Sequence, residues 1–123
     1  MTLVIFELEA KEGRIDDLKA MLREALPDTR AYPGCYDLSV FADPDGKTLL
    51  LVEAWDSQEA YEQYFAWRAN PGPGFASLED LGPLVEGEPA PRFLEPAGLY
   101  LRLFEVMDSV KPPETEMYDP SCI

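Results

Sequence analysis

Between Glu53 and Arg68 this chain gathers the side chains best suited to chemistry: one carboxylate, then Trp55, Tyr61, Tyr64, Phe65, Trp67 and Arg68. Positions 61, 64, 65, 67 and 68 share one broad face of a helix at 3.6 residues per turn. Such a ring stripe commonly packs a core. This one also carries two phenol hydroxyls, an indole N–H and a guanidinium within eight residues. Buried tyrosine and tryptophan need polar partners. Several such donors meeting in one place would suit a flat, partly polar ligand, so core and pocket both stand as readings.

Glu53 sits between Val52 and Ala54, with Leu51 and Trp55 as same-face neighbours in a strand. A half-buried carboxylate there needs a partner, and Arg30, Arg92 or Arg102 could supply it. The first expectation is a structural pair at a subunit interface. The second is a carboxylate with a raised pKa, able to act as a base. The chain has no histidine, so the usual base near neutral pH and the commonest metal ligand are both missing. Cys35 has no basic neighbour in sequence to activate it, so a buried structural thiol is expected.

Two other signals fail on spacing. Asp43-Pro44-Asp45-Gly46 resembles the start of a calcium loop, but Lys47 and Ala54 stand where the fifth and twelfth ligands belong. It reads as a hairpin turn. Pro71 to Gly74 is glycine-rich but follows a helix, not a strand, so it is not expected to cradle phosphate.

The elements that must position these residues follow from periodicity. Thr2 to Glu9 reads as a strand with Val4, Phe6 and Leu8 on one face. Ile15, Leu18, Met21, Leu22, Ala25 and Leu26 have helical spacing, and Pro27 should end or kink that helix. Tyr32-Pro33-Gly34 is a turn, and Cys35 to Phe41 a second strand. Lys47 to Trp55 is a third, apolar on both faces from Leu49 to Val52. Asp56 and Glu59 have capping-box spacing, with Ser57 a second cap candidate, and the helix they open runs to about Asn70. Phe75, Leu78, Leu81 and Leu84 suggest a short helix. Strands are expected at 90–95 and 98–107. This order is that of an α+β ferredoxin-like sandwich with an antiparallel sheet. Its helices cover one sheet face, and the greasy face left over implies a second copy of the chain. The expected division is a domain over residues 1–107 and a proline-containing tail over 108–123.

At 123 residues the chain is one domain of ordinary core size. A net charge of −14 repels phosphate backbones and anionic lipid, so neither nucleic acid nor a membrane surface is an expected partner. Two cysteines, no leader-like apolar run and no stretch of some 20 apolar residues suggest a reduced, cytoplasmic setting.

The order and spacing of Lys11-Glu12-Gly13, Pro33-Gly34-Cys35, and Glu53-Ala54-Trp55 leading into Ser57, Glu59, Ala60 and Tyr61 resemble the antibiotic biosynthesis monooxygenase family. That family of dimeric α+β barrels also includes quinol monooxygenases and haem-degrading enzymes. The resemblance spans roughly residues 2 to 95. It implies a homodimer with one pocket per subunit and, in well-known members, oxidation of phenols or quinols by molecular oxygen without metal or flavin. An ionised phenol passes an electron to oxygen, the radicals recombine, and the peroxide collapses to a quinone. Where many relatives carry a histidine, nine residues past the strand-three tryptophan, this chain has Tyr64. Where the haem-degrading branch has an asparagine, it has Phe6, and it lacks an iron-ligating histidine.

The resulting expectation is a cofactor-independent monooxygenase-like protein acting on an aromatic or quinol-type small molecule. Tyr64, Arg68 and Glu53 would carry the chemistry, while Tyr61, Trp67, Phe6 and Trp55 would hold the substrate. Neither metal nor cofactor is expected. A non-catalytic dimer that binds a hydrophobic metabolite is the first alternative. A small isomerase or decarboxylase on the same scaffold is the second.

Overall fold

A computed structural model describes residues 1–98. The chain runs β1 (Thr2–Glu9), α1 (Ile15–Ala31), β2 (Cys35–Ala42), β3 (Thr48–Trp55), α2 (Gln58–Ala69), a single 3-10 turn (Leu78–Leu81) and β4 (Arg92–Leu94). The four strands form one antiparallel sheet in the order β2-β3-β1-β4. This is the α+β, ferredoxin-like arrangement expected from the order of elements. The expected strand at 98–107 and the tail at 108–123 lie outside the described residues.

Period-two burial decides which side chains meet the helices. On β1, Val4, Phe6 and Leu8 are buried, and on β3, Leu49, Leu51, Glu53 and Trp55. Their register partners from β2 are Ala42, Val40 and Leu38. Leu18 and Leu22 of α1 join Phe6, Leu8, Leu49 and Leu51 in one apolar cluster, while Tyr61 and Tyr64 of α2 join Val4 and Trp55 in another. The opposite face carries Leu3, Ile5, Phe41, Leu50, Val52 and Ala54, none of them fully buried.

Three local expectations change. Proline does not end α1: the helix continues through Pro27 to Ala31. Pro27 lies on the exposed side, where water can take the Arg23 carbonyl that loses its donor, while Ala25 and Thr29 are buried on the inner side. At α2 the cap is Ser57, whose Oγ accepts from the Ala60 N–H at 3.1 Å. Asp56 instead accepts from the Tyr36 hydroxyl, so there is no capping box here. The helix expected around Phe75 to Leu84 contracts to one turn; Leu81 and Leu84 still reach the core, while Phe75 stays largely exposed.

The turn before β2 is tightly constrained. Gly34 has φ +97°, and a Cβ there would lie 3.0 Å from the Ala60 Cβ and 3.6 Å from Trp55. Both the left-handed backbone and the close approach of α2 exclude a side chain. We expect Gly34→Ala to lower stability by more than about 1 kcal/mol, because strain and overlap add. Urea unfolding of the variant would check this, and an unchanged midpoint would contradict it.

Candidate functional site

Between the helices and the sheet lies a cavity of about 40 Å³, walled by α1, α2, β1, β3 and the segment around Ala76. β1 and β3 contribute Phe6, Leu51 and Glu53 to its lining, α2 contributes Tyr61, Tyr64, Phe65 and Arg68, and α1 adds Thr29. The space admits a water or two, whereas benzene needs a cavity of about 150 Å³. Met21, Leu26, Phe65 and Leu78 line it and are only half-buried. They belong to the least buried part of its wall.

Arg68 organises the polar end. It is 4% exposed. Its Nε donates to the Tyr64 hydroxyl at 3.1 Å and Nη1 to the Ala76 carbonyl at 3.0 Å. Nη2 donates to the Ala25 carbonyl at 3.0 Å and to Thr29 Oγ1 at 2.8 Å. Four of the five N–H bonds are thus engaged, and the guanidinium cannot accept. The hydroxyls of Thr29 and Tyr64 are themselves 2.6 Å apart. Among the described residues the ion pairs are Arg14–Asp17 and Lys47–Glu9, so Arg68 is buried without a carboxylate within 4.0 Å.

Glu53 faces the helices and is 2% exposed. Its one hydrogen bond among the described residues comes from the Trp55 indole N–H at 2.9 Å. None of the expected arginine partners reaches it. Arg30 donates to the Cys35 carbonyl, Arg92 is exposed and opposite Ile5 on the other face, and Arg102 lies outside the described residues. The expectation of a structural pair at a subunit interface is therefore corrected: period two turns Glu53 inward with Leu51 and Trp55. Burial pushes its pKa up to about 6, against the Trp55 hydrogen bond and the attraction of Arg68. Burial, with Glu53 nearby, also raises the Tyr61 phenol. Tyr64 is raised by burial too, while its bonds to Thr29 and Arg68 pull the other way.

Of the sequence candidates, Phe6, Glu53, Tyr61, Tyr64 and Arg68 line the cavity. Trp55 and Trp67 do not. Trp55 is fully buried behind Glu53, and Trp67 packs on Tyr32 and Phe75 with the Arg68 guanidinium 4.8 Å from its ring centre. Cys35 is only partly buried rather than sealed in the core. Thr29 was not signalled by the sequence; the only hint is its place one turn past Ala25 on the inner face of α1. Among the described residues no group of three or more His, Cys, Asp or Glu could hold a metal ion, and no helix is long and apolar enough to cross a membrane.

The raised Glu53 pKa makes stability depend on pH. Ionised Glu53 is disfavoured in the folded chain, so its contribution is full below about 4.5 and is lost as pH rises through about 6. Glu53→Gln keeps an acceptor for Trp55 without the charge. The variant should match the parent at pH 4 and exceed it by about 2 kcal/mol at pH 8, measured by urea unfolding. A gap that does not grow with pH would contradict the assignment.

The antibiotic biosynthesis monooxygenase family model matches residues 1–71. Solved structures agree in fold. Rv0793 from Mycobacterium tuberculosis is 25% identical, with a TM-score of 0.58 over 77% of this chain and 93% of that one. PA3566 from Pseudomonas aeruginosa is 20% identical, with a TM-score of 0.61 over 77% and 92%. A structure described as an antibiotic biosynthesis monooxygenase is also 20% identical, with a TM-score of 0.65 over 79% and 99%. No curated protein matches the chain. With more than half of its 123 residues matched and the fold shared, the chain belongs to the antibiotic biosynthesis monooxygenase family.

Proposed function

We propose that this protein is a cofactor-independent monooxygenase-like enzyme acting on an aromatic or quinol-type small molecule. The observation that carries the reading is the meeting of Glu53, Tyr64 and Arg68 in one ring-walled cavity. The substrate ring enters by displacing Met21, Leu26 and Phe65, and lies against Phe6 and Tyr61. Glu53, poised near 6, takes a proton from the phenol, and its protonated form is kept by burial. The Arg68 end of the cavity favours the negative charge as it spreads through the ring to the substrate's other oxygen. Dioxygen is the oxidant: one oxygen atom becomes the new ring carbonyl, the other leaves as water with two hydrogens from the substrate, and the four electrons that dioxygen takes up all come from the ring. The apolar wall excludes water from the radical pair.

The same reading makes the protein a homodimer, a second copy covering Leu3, Ile5, Phe41, Leu50 and Val52. Domain limits of 1–107 for the catalytic unit and 108–123 for a tail go with it. One observation favours a second reading, a dimer that binds a hydrophobic metabolite without turning it over. Most of the Arg68 donors are held by the protein itself, leaving one N–H for a ligand.

Purified protein given anthrone- or quinol-like substrates should consume oxygen, with a rate rising through a midpoint near pH 6. Glu53→Gln should lower that rate by about 100-fold with little change in substrate affinity. Folded protein that binds such a ring but takes up no oxygen would turn the assignment to the binder. Sedimentation equilibrium should give twice the 13.8 kDa chain mass at micromolar concentration. A stable single subunit would remove the dimer.

A further inference from the structure

The hydroxyls of Thr29 and Tyr64 have a hydrogen count that does not close within the protein. Each accepts an N–H from Arg68, Thr29 Oγ1 from Nη2 and the Tyr64 oxygen from Nε. The two oxygens lie 2.6 Å apart, and either can be the donor, so one hydrogen lies between them. The pair owns two hydrogens. The second has no acceptor among the described residues, where neither hydroxyl makes another hydrogen bond. Both residues line the cavity, with Thr29 1% and Tyr64 7% exposed.

We infer that Thr29 and Tyr64 act as one donor, presenting a single hydroxyl hydrogen to an acceptor oxygen of the molecule in the cavity. Whichever hydroxyl gives its hydrogen to the other, the partner's own hydrogen is left to turn inward. The Arg68 donors make both oxygens acceptors and so fix the arrangement, because a guanidinium has no lone pair to offer. Glu53, also on the lining, supplies the acceptor. The complementary ligand is an aryl compound with a carbonyl or phenolic oxygen toward Thr29 and Tyr64 and a hydroxyl toward Glu53. This deepens the proposed function and rests on its premise that the cavity admits a ring.

Acetophenone and α-methylstyrene differ only in C=O against C=CH2, so the ratio of their affinities, read by calorimetry, reports a donor and cancels general loss of packing. The parent should favour the ketone. In Thr29→Val the Tyr64 hydrogen remains, and in Tyr64→Phe the Thr29 hydrogen remains, so each ratio should stay within about threefold of the parent. The double variant should lose about tenfold, the worth of one hydrogen bond, and Thr29→Ser with Tyr64→Phe should restore it. A double variant with an unchanged ratio would place the donor elsewhere, on the remaining Arg68 N–H, and overturn the inference. Single variants that fall as far as the double would do the same, as would failure of both probes to bind the parent. Should the double variant not fold, the infrared carbonyl band of acetophenone bound to Thr29→Val and to Tyr64→Phe decides: a lower frequency where the phenol is the donor left than where the aliphatic hydroxyl is left supports the pair, and the same band in both places the donor elsewhere and overturns it. That difference in a protein that consumes no oxygen with phenols would keep the pair and overturn only the oxygenase reading.

Discussion

A single buried cation ties the site together. Arg68 reaches from α2 to two points on α1, to its own helix neighbour Tyr64 and to the backbone at Ala76. Isolated burial of a guanidinium would be very unfavourable, and here carbonyl and hydroxyl oxygens offset the lost hydration in place of a carboxylate. The alternative, Glu53 close enough for an ion pair, would have closed the space between them. Keeping the charges apart leaves a polar gap inside an otherwise apolar layer.

That gap accounts for the Glu53 environment. With only one indole N–H and the more distant guanidinium for support, desolvation dominates and the acid form is favoured. The chain has no histidine, and among the described residues Glu53 is the carboxyl that burial lifts toward neutrality. Trp55 lies behind the wall, its ring centre 5.1 Å from that of Tyr64 and 5.3 Å from that of Tyr61, so aromatic contacts continue from the lining into the core.

β1 was legible because period two is short-range: Val4, Phe6 and Leu8 declare their face in the order of residues alone. β3 was not, because Leu49 to Val52 are apolar on both faces and Glu53 read as a group at a subunit interface until the helices were in place. The α2 stripe was as readable as β1, although which of its rings touch the cavity was not. Trp67 and Arg68 are adjacent in sequence, yet only the second turns inward, and the distinction depends on where α1 lies. Thr29 escaped for the same reason: its partners Tyr64 and Arg68 are 35 and 39 positions away. Pro27 misled because its effect depends on which side of the helix meets water, a tertiary fact. The partner of Glu53 was sought among arginines, whereas its donor is the tryptophan two residues on.

The slip of register at Cys35 and Asp37 bears on how the molecule avoids clumping. Among the described strands β2 lies at one margin of the sheet, and such margins invite other chains to add to them. Here the extra residue, Tyr36, is exposed and bonded to Asp56, and it interrupts the ladder near the start of the strand. The regular pairing through Val40 and Phe41 runs into the anionic bend at Asp43 and Asp45. A fibril-like stack begun there would press those carboxylates against their own copies, which makes runaway growth along that border self-limiting.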